Sequence, residues 1–144
     1  MGSKQKPSTG AVVVTGASSG IGEACALRLD QLGFCVFAGV RRESDGTALQ
    51  RRASGRLTPI FLDVTDAALI ISARDTVAAA IGDSGLVGLV NNAGIAIGGP
   101  LEFLPVTEIR RQLEVNVIGQ VAVTQAFLPF LRQRQGRIVN IGSL

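Results

Sequence analysis

The sequence Thr15-Gly16-Ala17-Ser18-Ser19-Gly20-Ile21-Gly22 follows the apolar run Ala11-Val12-Val13-Val14 and precedes an amphipathic stretch over 23–32. A strand, a tight glycine loop and a helix in this order present unpaired backbone N–H groups to a phosphate, and the helix N-terminus adds partial positive charge. The glycines allow the turn, a close approach of a pyrophosphate and close packing of the helix on the sheet. We therefore predict a phosphate-binding turn, with a glycine-rich turn that binds no ligand as the alternative. Its binding residues would be Gly16, Ser18, Ser19, Gly20, Ile21 and Gly22.

The composition is that of one globular domain. The chain has 144 residues, 47% hydrophobic and 17% charged, with a formal net charge of +3. The basic residues are not interleaved with aromatic ones, and Tyr and Trp are absent from the sequence, so we expect no nucleic-acid partner. Cys25 and Cys35 form no C-x-x-C motif and the sequence has no His, which favours buried thiols in a reducing compartment over a metal site.

The first ten residues are polar and lack the apolar segment of a signal peptide. We expect a flexible tail over 1–10. Since no apolar run approaches the ~18 residues of a membrane span, we also expect no membrane association and a cytoplasmic location.

Strand-like and helix-like patterns alternate along the rest of the chain in units close to 30 residues. Strands are predicted over 11–14, 34–40, 56–62, 85–90 and 137–141, and helices over 23–32, 47–53, 67–81 and 107–134. Asp66 and Thr107 are the expected N-caps of the last two helices. The long final helix has one apolar face, consisting of Ile109, Leu113, Val117, Val121, Thr124 and Leu128, and Pro129 should kink or loosen its last turns. This alternation predicts a single α/β domain over 11–144 with a doubly wound parallel sheet.

Polar residues follow the carboxyl end of each predicted strand, where ligands bind in a doubly wound sheet. The glycine loop follows the first strand, Arg41 the second and Asp63 the third. Asn91-Asn92-Ala93-Gly94 follows the fourth strand, and Ser143 the fifth.

Three sequence motifs in this order resemble the classical branch of the short-chain dehydrogenase/reductase family over nearly the whole chain. They are Thr15-Gly16-x-x-x-Gly20-Ile21-Gly22, Asn91-Asn92-Ala93-Gly94 and Ile138-Val139-Asn140-Ile141-Gly142-Ser143. Asp63-Val64 and Glu114-Val115-Asn116-Val117 match as well. The resemblance implies a Rossmann fold that is truncated after its fifth strand.

The resemblance also implies roles for residues in the cofactor site. Asp63 and the backbone of Val64 would contact adenine, although Asp63 could equally be a turn residue. Asn91 would be chiefly structural, near the ligand, while Ala93 and Gly94 would leave room for the cofactor ribose.

Arg41 stands about 20 residues past the glycine loop, where NAD-binding proteins carry an acid that accepts the ribose 2′-hydroxyl. A guanidinium can instead make bidentate bonds to a 2′-phosphate. We therefore favour NADP(H) as cofactor, with NAD possible; the alternative is that Arg41 is a solvated loop charge.

Asn116 and Ser143 are the candidate catalytic residues. Asn116 lies on an otherwise apolar helix face, so its side-chain amide must find hydrogen-bond partners. It would either fix the helix against the sheet or, as the resemblance implies, hold a water molecule in a proton relay. By resemblance, Ser143 would hydrogen-bond the substrate oxygen while hydride passes between the nicotinamide and a carbonyl or secondary alcohol. Apart from the resemblance, Ser143 is only a polar residue near the chain end.

The family's Tyr-x-x-x-Lys pair has no match in the sequence, which contains no Tyr and carries lysine only at Lys4 and Lys6. We expect a partial chain that lacks the C-terminal catalytic part and is inactive by itself. The alternative function is an inactive nucleotide-binding or dimerisation module. The apolar segment over 94–104 weakly favours a hydrophobic substrate such as a steroid or retinoid, and by resemblance the full-length protein would be a homodimer or homotetramer.

Overall fold

The computed structural model describes residues 9–143, so most of the tail predicted over 1–10 lies outside the described residues. The strands are β1 (Ala11–Val14), β2 (Cys35–Val40), β3 (Leu57–Phe61), β4 (Gly88–Asn91) and β5 (Arg137–Asn140). The helices are α1 (Gly20–Gln31), α2 (Glu43–Arg52), α3 (Ala67–Ile81), α4 (Val106–Leu113) and α5 (Gln120–Arg134), with a π-helical segment, Glu114–Gly119, between α4 and α5. Short 3-10 turns form at Gly82–Ser84 and Leu101–Phe103.

The five strands form one parallel sheet in the order β3-β2-β1-β4-β5. One face packs against α3 and α5 through a core that includes Val77, Leu89 and Phe127. The other face packs against α1 and α2 through residues such as Ala26 and Leu49. The predicted doubly wound sheet is confirmed, and its strand order reverses between β1 and β4.

The structure explains two details of the sequence. Pro59 sits in β3, an edge strand, where its missing N–H costs no ladder bond to a further strand. Asp66 caps α3 as predicted, because its carboxylate accepts from the backbone N–H groups of Ala68 at 2.9 Å and Leu69 at 3.1 Å.

The helix predicted over 47–53 starts earlier than expected, because α2 already begins at Glu43. Gly46 therefore lies inside the helix, where it is buried. A Cβ at this position would come within 2.9 Å of the Cβ of Pro59. The glycine therefore allows the helix to pack closely on β3.

The long helix differs from its prediction in start, continuity and buried face. It begins at Val106 with Pro105 as its N-cap, so Thr107 lies in the first turn and is not the cap. The π-helical segment interrupts the helix at Glu114–Gly119. The helix continues through Pro129 to Arg134.

The apolar stripe predicted on this helix is largely solvent-exposed. Leu113, Val117 and Val121 are 51%, 48% and 51% exposed. The helix instead buries Val123, Phe127 and Leu131. A π turn takes an extra residue, so a spacing of 3.6 residues carried through it loses register at Val121 and beyond.

Within the part of the chain that the structure describes, no helix is long and apolar enough to cross a membrane. Cys25 and Cys35, expected to be buried thiols, are only partly buried.

Candidate active site

A cleft of about 640 Å³ lies at the carboxyl edge of the sheet, above the point where the strand order reverses. Its volume is in the range of pockets that bind cofactors. Nine of the predicted site residues line it: Gly16, Ser18, Ser19, Ile21, Arg41, Asp63, Val64, Ala93 and Gly94. Residues that the sequence did not single out complete its lining, among them Asn92, Ile95, Arg111, Glu114 and Val115.

The glycine loop has the conformation that a phosphate-binding turn requires. Gly16 and Gly20 adopt left-handed φ angles of 62° and 59°. Among the described residues, no side chain caps the N-terminus of α1. The first N–H groups of this helix, and the positive end of its dipole, are therefore available to an anion.

Gly22 lies in the first turn of α1, in close contact with the residues that follow β1 and β4. A Cβ there would collide with the carbonyl oxygen of Gly16 and the side-chain amide of Asn92, and would lie 2.9 Å from the carbonyl carbon of Gly16. Because two of these atoms belong to the backbone, only glycine fits without moving the loop.

Thr15 and Asn92 join the loop after β1 to the loop after β4. The buried Thr15 Oγ1 accepts from the backbone N–H groups of Asn92 at 3.0 Å and Ala93 at 2.9 Å. The Asn92 side chain donates to the carbonyl oxygens of Thr15 at 3.2 Å and Gly16 at 3.0 Å. The motifs did not predict this clamp, although a hydroxyl at the end of an all-apolar strand is a signal that it pairs with other polar groups.

Asn91 lies beneath the cleft and does not line it. Its amide nitrogen donates to the Asn140 side chain in β5 and to the Thr124 hydroxyl on α5, both at 3.0 Å. It thus links two strand ends and a helix. Its Oδ1 atom is buried and has no partner among the described residues.

Asp63 and Arg41 form the end of the cleft above β2 and β3. Thr65 donates to the Asp63 carboxylate from its hydroxyl at 2.7 Å and from its backbone at 2.9 Å. These hydrogen bonds, with a smaller contribution from the charge of Arg41, hold the pKa of Asp63 below its ordinary value of 3.8. The carboxylate is therefore ionised at neutral pH and can accept hydrogen bonds.

Asn116 lies in the π-helical segment and is partly buried. Its Oδ1 accepts from the Ile95 N–H at 2.9 Å, and its Nδ2 donates to the Ile95 carbonyl at 2.8 Å. One amide thus fixes the chain that leaves β4. Ser143 follows β5 and is exposed; it is not among the described residues that line the cleft.

The family model described as short chain dehydrogenase matches residues 10–144. The chain belongs to this family. The resemblance of its motifs to short-chain dehydrogenases is thereby confirmed, as is the Rossmann-type sheet.

Two curated short-chain dehydrogenases illustrate the match. The chain is 45% identical over 134 residues to retinol dehydrogenase 5 of Mus musculus, covering 92% of this chain and 42% of that protein. It is 46% identical over 139 residues to estradiol 17-beta-dehydrogenase 2 of Rattus norvegicus, covering 93% of this chain and 36% of that protein. The chain thus spans less than half the length of these relatives.

Solved structures share the fold. A short-chain dehydrogenase from Streptomyces avermitilis superposes with a TM-score of 0.87 at 37% identity, covering 96% of this chain and 50% of that one. The serine dehydrogenase of Escherichia coli gives a TM-score of 0.84 at 35% identity, covering 92% and 62%.

Proposed function

We propose that the chain carries the cofactor site of an NADP(H)-dependent oxidoreductase that moves hydride between the nicotinamide and a carbonyl or secondary alcohol. The observation that carries this proposal is the cleft above the strand reversal, lined by the loops after β1, β2, β3 and β4. Dinucleotides bind at this place in doubly wound sheets. When bound, the nicotinamide would supply or accept the hydride.

The pyrophosphate would lie at the uncapped N-terminus of α1, where Ser18, Ser19 and Ile21 line the cleft. The adenosine half would extend towards Asp63 and Val64. The nicotinamide half would extend towards Gly94 and Ile95, above β4.

Arg41 supports a preference for NADP(H) over NAD. Its side chain lines the cleft, is exposed, and lies close enough to Asp63 for its charge to act on that carboxylate. A charge-assisted hydrogen bond from a guanidinium to the 2′-phosphate would be worth about 1.5–3 kcal/mol, or roughly 10- to 100-fold in affinity.

The preference is tested by measuring the dissociation constants of NADPH and NADH for Arg41→Asp. We expect the ratio to shift towards NADH by at least about tenfold. Arg42→Asp is the matched control, because it makes the same change in net charge at the adjacent residue, which does not line the cleft. An unchanged ratio in Arg41→Asp, or an equal shift in both variants, would refute the preference.

Asn116 and Ser143 are the proposed catalytic groups. Ser143 would hydrogen-bond the substrate oxygen and stabilise charge that develops on it. Asn116 uses one N–H and one lone pair on Ile95, and its second N–H remains to hold a water molecule for a proton relay.

Because residues 1–144 contain no tyrosine, we expect this chain alone not to turn over at a rate typical of the family. Ser143-dependent oxidation of NADPH in the presence of an aldehyde or ketone would overturn that expectation, and Ser143→Ala is the variant that tests the dependence.

A hydrophobic substrate, such as a steroid or retinoid, is supported by exposed apolar side chains in the segment that follows the cleft-lining residues Gly94 and Ile95. Leu101 and Phe103 in this segment are 80% and 75% exposed. The names of the two curated relatives point to the same class of alcohol. A fluorescence titration with retinol and estradiol in the presence of NADPH tests this, and binding no tighter than that of a short-chain alcohol would contradict it.

The second candidate function is a dimerisation module, which the exposed apolar stripe of Leu113, Val117 and Val121 favours. Light scattering should then report twice the 14.9 kDa of the chain, and Val121→Asp should reduce the mass to that of a monomer. A monomeric unaltered chain would contradict this function.

A cytoplasmic location stays a prediction.

A further inference from the structure

The segment that leaves β4 over 94–97 has no regular secondary structure, although Gly94 and Ile95 line the cleft. Two amide side chains on consecutive helical turns hold it. Asn116 binds both backbone groups of Ile95, and the Gln112 Oε1 atom accepts from the Ile97 N–H at 2.6 Å.

The two spacings match. Four residues along a helix rise about 6 Å, and two residues of extended chain span about 6.6 Å. Gln112 can therefore contact Ile97 while Asn116 contacts Ile95, provided that the segment runs alongside the helix. Losing either amide removes one of its two attachments.

Gln112 also connects α4 to the segment that leaves β4. None of the α4 residues, all of which the structure describes, is buried. The hydrogen bond to Ile97 joins this helix to the segment over 94–97. Arg111, next to Gln112, and Val115, one turn later, line the cleft on the helix side. Gln112 thus joins the helix that carries these lining residues to the segment that carries Gly94 and Ile95.

We propose that Gln112 is a positioning residue for the nicotinamide half of the cofactor, which acts through Ile97 and in register with Asn116. The inference rests on the proposed function of the cleft. Without the Gln112 acceptor, the Ile97 N–H donates to water instead, and the segment is held at Ile95 alone. The nicotinamide end of the cleft then loses its fixed width, while the adenosine end at Arg41 and Asp63 keeps its geometry.

The test uses two ligands on the 144-residue chain, titrated by calorimetry. NADPH occupies both halves of the site, whereas adenosine 2′,5′-bisphosphate occupies only the adenosine half. Gln112→Leu should weaken NADPH binding by about 3- to 10-fold, the range expected for one lost hydrogen bond, and change the bisphosphate by less than twofold. Gln112→Glu keeps an acceptor and should restore NADPH binding.

Gln125→Leu makes the same change at an exposed position on α5 and should leave both affinities unchanged. Equal weakening of both ligands in Gln112→Leu would mean general loosening of the fold and would overturn the inference, as would an unchanged affinity for NADPH. Failure of the unaltered chain to bind NADPH would overturn the proposed function and this inference with it.

Discussion

Replacing Gly22 with alanine tests how the glycine loop is built. In the interior of an exposed helix, replacing glycine with alanine raises the free energy of unfolding by about 1 kcal/mol, because alanine is the better helix former. Here the added methyl group meets the carbonyl group of Gly16 and the side-chain amide of Asn92. The sign of the effect therefore separates helix propensity from the collision.

The collision should prevail. Overpacking against rigid backbone costs about 1–3 kcal/mol. The displaced Asn92 amide also loses its hydrogen bonds to the Thr15 and Gly16 carbonyls, each worth about 1 kcal/mol. After subtracting the gain in helix propensity, we expect Gly22→Ala to lower the free energy of unfolding by about 2–4 kcal/mol.

Thermal unfolding followed by circular dichroism measures this effect, and a loss of this size corresponds to a fall in Tm of about 5–15 °C. Gly55→Ala is the matched control, since a Cβ at Gly55 meets no atom within 4 Å among the described residues. NADPH should also raise the Tm of Gly22→Ala less than that of the unaltered chain. A variant as stable as the Gly55 control, with the same response to NADPH, would refute the close contact of Gly22 with Gly16 and Asn92.

Three further predictions concern polar contacts around the sheet. Thr15→Val should lower the free energy of unfolding in urea by about 1–3 kcal/mol, because it leaves the partly buried backbone N–H groups of Asn92 and Ala93 without their acceptor; Thr15→Ser keeps the hydroxyl and should recover most of the loss, and a Val variant as stable as the Ser variant would contradict the clamp. Asp66→Ala should lower the free energy of unfolding by about 1 kcal/mol through loss of the α3 cap, whereas Asp66→Asn should be nearly as stable as the unaltered chain. Equal losses of stability in both variants would show that the cap hydrogen bonds are not the cause. Because the pKa of Asp63 is lowered, its carboxylate stabilises the fold above the ordinary value of 3.8, and this contribution is lost as the pH falls through the lower pKa of the folded state. Thr65→Val should therefore reduce the pH dependence of stability in that acidic range, at a cost below about 1 kcal/mol near pH 7 because the carboxylate is largely solvent-screened; an unchanged pH profile would contradict the role of the Thr65 hydroxyl.

The sequence predicted the parts of the fold that depend on local patterns. The continuous apolar run that ends at Val40 indicates a strand buried on both faces. Asp66 directly before the amphipathic pattern of α3 indicates a cap, and the structure has both. The glycine loop, Asp63 and Gly94 could be assigned to one cleft because carboxyl ends of parallel strands share one edge.

The rest depends on contacts between distant parts of the chain. A glycine is required inside the helix at Gly46 because Pro59, on a neighbouring strand, leaves room only for a small residue. The π-helical segment changes the register of the residues that follow it in the final helix, and no periodicity in the sequence predicts this segment. Gln112 has its role because Ile97 lies beside it, which follows from the path of an irregular loop.

Hydrogen–deuterium exchange with and without saturating NADPH tests the central claim most directly, because it reports both binding and its location. The account predicts slower exchange of backbone amides over 16–22, at the N-terminus of α1, and over 94–97, beside Asn116. Unchanged exchange in these segments, or protection confined to surfaces away from the carboxyl edge of the sheet, would contradict it.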